Sequence, residues 1–396
     1  MAPAPEKWIE GIHFPMPRNK LAASARRLRD FYALKTEAPF IQQEFGFFTQ
    51  ERWQQEGHMP RFSDRAQEEQ WMMETFGFEE SGSFSLGGLG WCEAAFIPEY
   101  EQIVLEDRGD YDLAQDHAGR KVLFFKGRRN GFMPEYVDHP VKDMHTWETS
   151  VKWRLNPASP ERFGDAFAAK MCGAADAARQ GKVIVQNLIG GYMYLRSLIG
   201  PVELLYMVYD DPALIHDCMQ TWLNLADAVV ARHQQAVTID EIFLAEDICF
   251  NHGPLISPDM MREFLFPYYQ QLIANTRQRQ LDRARTLFIQ IDTDGNSIPV
   301  IDVYRETGMN YMSPFEVAAG CDVVAVGADY PDLLMRGGID KRILAQGKDA
   351  IDREMDRILP VLFKRSGYIP VCDHGVPEEV SFENYCHFRC RVREYA

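Results

Sequence analysis

Two carboxylates stand two residues apart at the end of an apolar run, in the stretch Leu287–Asn296 (LFIQIDTDGN). An apolar run of this length predicts a strand buried on both faces, and the Gly295 that follows predicts its opening into a loop. On a strand Asp292 and Asp294 would share a face, so both carboxylates could point at one spot. Such a pair can bind a divalent cation, or it can act as acid and base because neighbouring carboxylates push each other's pKa apart.

The same pattern, an apolar run that ends in an acid or a histidine, recurs four more times. The runs are Ile239–Asp247 ending in Glu246 and Asp247, Met309–Glu316, Leu333–Asp340, and Gly367–His374 ending in Asp373 and His374. Helix-like segments separate them, and a (β/α)8 barrel builds its active site in this way, from the carboxyl ends of its strands. An acid after a strand can also be the N-cap of the next helix, but five in series favour a shared site.

The candidate catalytic residues are His374, Asp292 and Glu246, which would act as acid, base or electrostatic partners. Tyr192 and Tyr194 follow the predicted strand Lys182–Gly190, and their hydroxyls could donate hydrogen bonds to a substrate. Both tyrosines could equally be core aromatics, and Asp294 could cap the next helix.

The candidate metal ligands are Asp292, Asp294, His374 and Cys372. Carboxylate, imidazole and thiolate are all ligands of zinc, although this spacing is not a specific metal signature. Without a cation the repulsion among the carboxylates is costly in a partly dry pocket. The structural alternative for Cys372 is a small buried hydrophobic residue on a strand.

The candidate substrate-binding residues include an aromatic cluster at the exit of the predicted first strand. Phe45, Phe47 and Trp53 suit a flat apolar ligand, although aromatic residues there are also ordinary core. Further candidates from other strand ends are Tyr194, Asp247, His252 and Glu316. His252 could line the mouth of the barrel or bond to backbone.

Composition excludes several classes of partner. The 396 residues carry 42 Lys and Arg against 58 Asp and Glu, a formal charge of −16. This charge argues against nucleic acid and anionic membranes as partners and is unfavourable for a polyanionic substrate. Eight scattered cysteines without a CxxC pair fit free thiols of a reducing cytosol, and no stretch approaches 18 apolar residues. We therefore expect a cytoplasmic protein without a membrane span.

The order of the predicted elements indicates one domain over residues 1–396. Regular strand–helix alternation from about Lys182 onward is the α/β signature, and Ala38–Phe48 is the candidate first strand. Residues 1–37 form a predicted helical extension, and about 60–160 an insertion with antiparallel strands in Cys92–Asp116. Ser81–Gly90 (SGSFSLGGLG) is typical of a flexible linker or, less well, of a phosphate-binding loop.

Several phrases resemble the uroporphyrinogen decarboxylase superfamily, which also contains the cobamide-dependent methyltransferases. They are GPLISPDMMREFLFPYY (253–269), FIQIDTDGN (288–296), TGMNYMSPFE (307–316), GGID (337–340) and IPVCDHGVPEEVSFENY (369–385). EFGFFTQERWQQEG (44–57) and HPVKDMHTWE (139–148) look like the methyltransferase-like branch. The resemblance implies a (β/α)8 barrel, here with an N-terminal helical extension and a small antiparallel insertion.

The resemblance also separates two activities. True decarboxylases of the family bear an Arg-rich motif near the first strand, which grips the carboxylates of their substrate. Here only Arg52 remains and Glu44 is added, so a porphyrinogen polyanion would be repelled. The active-site histidine of the decarboxylases matches His374.

The methyltransferases of the superfamily bind zinc through an HxC pair and a later Cys. The matching positions here are Asp292 and Asp294, then His374 with Cys372 two residues away. Hard oxygens thus replace soft thiolates, which suits polarisation of an ether or phenol oxygen better than activation of a thiol.

The resemblance therefore implies a methyltransferase that moves a methyl group between a small methylated substrate, including aromatic methyl ethers, and a corrinoid carried by a partner protein. Zinc is the expected metal, and a homodimer is a possible assembly. The alternative is a metal-independent decarboxylase or lyase for a small substrate that is not a polyanion, with His374 and Asp292 as acid and base. A third alternative is a non-catalytic binding subunit.

Overall fold

A computed structural model describes residues 21, 23–35, 40, 42–127 and 133–395. Most of the predicted extension 1–37 and three residues of the predicted first strand (38, 39 and 41) lie outside the described residues. Within the described residues no helix is both long and apolar enough to cross a membrane.

Seven parallel strands form a curled sheet in the order β1-β6-β7-β10-β11-β12-β13. The strands of the chain are β1 Ser83–Leu86, β2 Ile103–Arg108, β3 Tyr111–Gln115, β4 Lys121–Phe125, β5 Glu135–Asp138, β6 Val183–Ile189, β7 Glu241–Ala245, β8 Cys249–Phe250, β9 Gly253–Pro254, β10 Phe288–Asp292, β11 Tyr311–Ser313, β12 Leu334–Arg336 and β13 Tyr368–Ile369. Beyond β13, Phe47 pairs in parallel with Val376, so the segment predicted as the first strand continues the sheet. The predicted barrel fold is confirmed.

Helices surround this sheet. They are α1 Ala23–Tyr32, α2 Gln50–Gln55, α3 Arg65–Phe76, α4 Met144–Thr146, α5 Asp165–Arg179, α6 Gly191–Ile199, α7 Glu203–Asp210, α8 Pro212–His233, α9 Pro258–Phe264, α10 Phe266–Arg279, α11 Ile301–Arg305, α12 Val323–Asp329, α13 Lys341–Gln346, α14 Lys348–Arg365 and α15 Phe382–Glu394. Short 3₁₀ or π segments lie at Trp147–Val151, Lys152–Leu155, Pro160–Phe163, Ile298–Val300 and Val317–Ala319. Asp211 and Ser257 cap α8 and α9, because their side chains accept hydrogen bonds from the backbone N–H groups of Leu214 and Met260.

The stretch Ser81–Gly90, predicted as a linker, contains the barrel strand β1 instead. Ser83 to Leu86 pair in parallel with Val183 to Gln186 of β6. Ser83 and Ser85 face the lumen of the barrel, while Phe84 and Leu86 belong to the apolar layer outside it. Because the lumen face carries only serines, the sequence lacks the long apolar run that identified the other strands.

Two apolar layers hold the barrel. The larger one lies between the sheet and the surrounding helices, and the smaller one fills the amino end of the lumen. Leu28, Phe31 and Tyr32 of α1 pack in this smaller layer beside Phe288 and Tyr311, which are the first residues of β10 and β11. Helix α1 therefore closes the amino end of the barrel and leaves the carboxyl end for a site.

The insertion after β1 contains a four-stranded antiparallel sheet in the order β2-β3-β4-β5. The predicted stretch Cys92–Asp116 supplies β2 and β3, which are joined by a turn at Gly109. Because the insertion leaves β1 at its carboxyl end, its base lies beside the site described next.

Candidate active site

Asp294 and His374 meet at the carboxyl end of the barrel. Asp294 follows β10 in a turn completed by Gly295, whose φ of +76° favours glycine. The Nε2 atom of His374 lies 3.6 Å from Oδ2 of Asp294, and about two fifths of each side chain is exposed. The imidazole also stacks on the Phe48 ring, with centroids 6.2 Å apart. This pair is open to a substrate.

Three further acids surround Asp294. An Asp247 carboxylate oxygen accepts the N–H of Asp294 at 3.3 Å, and Glu316 accepts the N–H of Gly295 at 2.8 Å. Burial of the Asp294 carboxyl, and then the charges of Asp247, Glu316 and Asp292, raise its pKa to about 8, against the opposing effect of Lys341. At neutral pH this carboxyl is therefore mostly protonated and can donate a hydrogen bond or a proton.

The imidazole of His374 is neutral beside this protonated carboxyl. Burial, and then the charge of Lys341, lower the pKa of His374 below its ordinary value. A neutral imidazole can accept a proton at one ring nitrogen and hold one at the other. The geometry thus places a proton donor beside a group that can relay protons to solvent.

Two of the acids have cationic partners. Asp247 pairs with Arg196 at 3.3 Å, and Glu316 pairs with Lys341 at 3.2 Å. Asp340, which also ends an apolar run, accepts the Arg342 backbone N–H as the cap of α13, so the helix-cap alternative is right for this residue.

Asp292 is the last residue of β10 and faces the lumen, where the Ser313 hydroxyl donates to its Oδ2 atom. Burial raises the pKa of Asp292 to about 6, with the Ser313 hydrogen bond and the Arg336 charge opposing the shift. Asp294 lies in the turn beyond the end of β10, close enough for the charge of Asp292 to raise its pKa.

Glu246 lies elsewhere. It accepts hydrogen bonds from the hydroxyls of Tyr269 at 2.7 Å and Tyr304 at 3.0 Å, and from the N–H of Tyr192 at 3.2 Å. Because Ala245 belongs to the lumen layer, the next side chain faces the helices. The predicted catalytic role of Glu246 at the mouth does not agree with this placement, which joins α6, α10 and α11 to the barrel.

Tyr192 and Tyr194 are also in the outer layer, 1% and 2% exposed. Within the described residues their hydroxyls have no hydrogen-bond partner. The core-aromatic alternative describes both residues, and neither lines the mouth as predicted.

Cys372 does not join Asp294 and His374. Its backbone N–H donates to Glu44 at 2.7 Å, and the fully buried residue packs in the outer apolar layer with Tyr385. Val371, one residue earlier, belongs to the lumen layer, so strand alternation turns Cys372 outward. Over the described part of the chain no three His, Cys, Asp or Glu residues are placed to hold a metal ion. The predicted ligand set is not assembled, and its donors do not fit zinc in this arrangement.

The predicted aromatic cluster is divided. Phe47 and Trp53 pack against each other and against Phe76 in the outer core, and Trp53 is fully buried, so neither contacts a substrate. Phe45 lies under the guanidinium of Arg336, 4.1 Å from ring centroid to Cζ. His252 is exposed in the hairpin of β8 and β9, where its ring contacts the edge of Phe250.

We call three exposed aromatic residues beyond the carboxyl ends of barrel strands the aromatic rim. Phe48, Trp91 and Phe250 are 48%, 49% and 46% exposed. Phe48 belongs to the aromatic stretch at the predicted first-strand exit, whereas the sequence did not single out Trp91, five residues after β1, or Phe250, five residues after β7. Trp91 stacks on Phe243 with centroids 5.0 Å apart and planes 8° from parallel.

Comparison with known proteins places this geometry in a family. The model of the uroporphyrinogen decarboxylase (URO-D) family matches residues 137–395, more than half of the chain. Uroporphyrinogen decarboxylase of Hydrogenovibrio crunogenus is 24% identical over 200 residues, 48% of this chain and 50% of that protein. The enzyme of the same name from Alcanivorax borkumensis is 24% identical over 194 residues, 45% of this chain and 48% of that protein. The chain therefore spans about half the length of these relatives.

Among solved structures, a methyltransferase from Methanosarcina mazei is similar over 94% of this chain and 98% of that one. The TM-score is 0.58 and the sequence identity is 14%. At this identity the likeness shows a common fold.

Proposed function

The chain belongs to the uroporphyrinogen decarboxylase family, and we propose that it transfers a methyl group from a small methylated substrate to a corrinoid carried by a partner protein. The observation that carries the proposal is the Asp294 carboxyl, which lies 3.6 Å from His374 at the open end of the barrel and whose pKa is raised to about 8 by burial and by neighbouring acids. Such a carboxyl would protonate the methyl ether oxygen of the substrate.

The proton is needed because a methyl ether has a poor leaving group. As the bond between methyl carbon and oxygen breaks, both of its electrons stay on the oxygen, and the proton of Asp294 passes to that oxygen. Asp294 is left as a carboxylate, and His374 returns a proton to it from solvent. General acid catalysis of this kind typically contributes about 10²- to 10⁴-fold in rate.

The corrinoid would supply the electron pair that takes the methyl group. The aromatic rim of Phe48, Trp91 and Phe250 supports this part of the proposal, because exposed flat side chains suit the approach of a flat macrocycle. No step is assigned to zinc, since the thiol of Cys372 faces away from the mouth.

A porphyrinogen is a poor substrate for this mouth. Glu316 and Asp247 place carboxylates at the entrance, where the described residues pair each of them with one cation, Lys341 and Arg196. A substrate with many carboxylates would meet repulsion here, whereas a small molecule would not.

The second candidate is decarboxylation or another lyase reaction of a small substrate. The observation that favours it is that Asp294 and His374 already form a proton donor and relay from side chains alone. The same proton would then pass to the carbanion left by loss of CO2.

The test is an assay with purified protein, added cob(I)alamin and a panel of small methyl ethers and methylamines. We expect substrate-dependent loss of the cob(I)alamin absorbance, at least 100-fold slower in Asp294→Asn. Asp259→Asn is the matched control, because this aspartate lies exposed on α9. Equal rates in wild type and Asp294→Asn, or no transfer from any substrate, would contradict the proposal. Release of CO2 from small carboxylic acids without corrinoid would identify the lyase.

A further inference from the structure

The lumen of the barrel is not filled. A cavity of about 140 Å³ lies inside the strands, between the layer closed by α1 and the mouth. An engineered protein cavity of about 150 Å³ is large enough to bind benzene, so this space fits one six-membered ring. The polar side chains that line it are Gln42, Ser83, Ser85, Asn187, Glu241, Gln290 and Arg336.

Arg336 brings a cation into this cavity. It is the last residue of β12, and it points inward because Leu334, two residues earlier, belongs to the lumen layer. Its Nη2 atom donates to the Gln43 carbonyl at 3.0 Å, and its plane lies on the Phe45 ring. Neutral groups therefore hold the guanidinium in place.

The same guanidinium has donors left over. Its Nε atom is buried and lacks a hydrogen-bond partner among the described residues. Two carboxyls of the lumen accept hydroxyls instead, Glu241 from Tyr32 and Asp292 from Ser313. Of the ion pairs between described residues, none joins Arg336 to a carboxylate within 4.0 Å. Burial raises the pKa of the nearby carboxyls Glu44, Glu241 and Asp292, and the charge of Arg336 opposes this rise without a direct ion pair to any of the three. A guanidinium that is fixed in this way and lines a confined space is suited to a carboxylate from a ligand.

Between the polar residues Asn187 and Gln290, part of the wall is flat and apolar. Trp91 and Phe243, stacked nearly parallel, both line the cavity, and about half of the Trp91 surface is open. An aromatic or other planar ring could pack against this wall.

We propose that the lumen is a subsite for a small monoanion, a single flat ring whose carboxylate pairs with Arg336 and whose face packs beside Trp91. This deepens the proposed function by naming a class of substrate. The binding of the ligand does not depend on that function, whereas its reaction at the mouth does. The strand register places Asp292 beside Ser313, and Met312 beside Met335, so Asp292 and Arg336 lie at one level of the barrel.

Asp294 lies in the turn after β10, two residues beyond Asp292 and nearer the mouth. A carboxylate bound at Arg336 would therefore lie at the level of Asp292 and below Asp294, while the ring occupies the cavity beside it. Larger polycarboxylates do not fit the volume.

Calorimetric titration with benzoate tests the subsite directly, with neutral benzamide as the matched ligand. We expect benzoate to bind wild type at least tenfold more tightly than benzamide does. Arg336→Met should weaken the binding of benzoate at least tenfold and change the binding of benzamide by no more than about twofold. Arg336→Lys should weaken the binding of benzoate less than Arg336→Met does. Arg262→Met, an exposed arginine of α9, is the control and should bind as wild type does.

If Arg336→Met does not fold, as judged by its thermal transition, Ser85→Leu decides, because it reduces the cavity without altering charge. Loss of benzoate binding in that variant supports the subsite, and retention overturns it. Equal binding of benzoate by wild type and folded Arg336→Met, or none by wild type, also overturns it. Because these are binding measurements, they stand whether or not methyl transfer is found, and methyl transfer without benzoate binding refutes the subsite alone.

Discussion

At the scale of residues, strand alternation decides which acid can do chemistry. The sequence shows acids at strand ends, and the position of Asp292 and Asp294 after an apolar run is enough to predict that both lie at the carboxyl end of β10. The direction of Glu246 could not be predicted in the same way. Its direction depends on which residue ends β7 and on the backbone of Asp247, whose φ of +41° turns the chain. Cys372 faces outward for the same kind of reason.

The buried carboxyl of Glu246 makes stability depend on pH. Burial raises its pKa from 4.5 to about 7, so the folded state holds a proton that the unfolded state releases. The free energy of unfolding should therefore fall as pH rises from about 4.5 to 7, and stay level above. A shift of this size corresponds to roughly 3 kcal/mol.

Glu246→Gln removes this titration. Denaturant unfolding between pH 4.5 and 8 should show a flatter dependence in the variant than in wild type. Glu354→Gln, on the outer helix α14, is the control and should keep the slope of wild type. Parallel pH dependences for wild type and Glu246→Gln would show that this carboxyl does not titrate in the window.

The placement of Cys372 predicts a small effect on catalysis. Its thiol packs in the outer layer, so Cys372→Ala should keep turnover within a few-fold of wild type. The free energy of unfolding should fall by about 1 kcal/mol, the contribution of one small buried apolar group. Steady-state assays and metal analysis on the same preparations check this. Joint loss of bound zinc and activity in Cys372→Ala would show that Cys372 is a zinc ligand, as the sequence predicts.

At the scale of elements, the sequence shows which segments are helices and strands better than where they pack. The pattern of 20–34 predicts α1, but nothing in it shows that the helix closes the barrel. That position follows from the contacts of Phe31 with Tyr311 and of Tyr32 with Phe288, which lie far apart in the sequence. Strand β1 is short and Ser-rich, so only its pairing with β6 identifies it.

The closing helix should be a large contributor to stability. Phe31 is 1% exposed in the lumen layer, and Phe31→Ala should cost about 3–5 kcal/mol because it leaves a cavity. Arg26→Ala, on the exposed side of α1, should change the free energy of unfolding by no more than about 0.5 kcal/mol. Urea denaturation measures both. Near-equal stabilities would mean that α1 is not part of the folded barrel.

At the scale of the whole molecule, charge and fold act together. The family model covers residues 137–395, and the barrel also needs the segment at Phe47 and β1, which precede that match. A formal charge of −16 and acids at the mouth disfavour a polyanion. The overall composition predicts this exclusion for any fold, whereas the lumen cavity, which depends on the side chains of seven strands, could not be predicted from it.

This charge distribution predicts that the protein does not decarboxylate uroporphyrinogen. Asp247 and Glu316 would repel its carboxylates, and the Arg-rich motif of the true decarboxylases is reduced to Arg52. Incubation under reducing conditions should release no CO2 above a protein-free blank. A characterised uroporphyrinogen decarboxylase assayed in parallel is the control, and turnover comparable to it would refute the exclusion.

The central claim, that the Asp294 carboxyl donates the proton, is tested most directly by the pH dependence of single-turnover methyl transfer. Since burial and neighbouring acids raise the pKa of Asp294 to about 8, its acid form is present below that pH and lost above it. The wild-type rate should be level below pH 8 and fall about tenfold per unit above it, and Asp294→Asn should be slow at every pH without this decline. A wild-type rate that rises through pH 8, or an Asp294→Asn variant with the wild-type rate and profile, would contradict the claim.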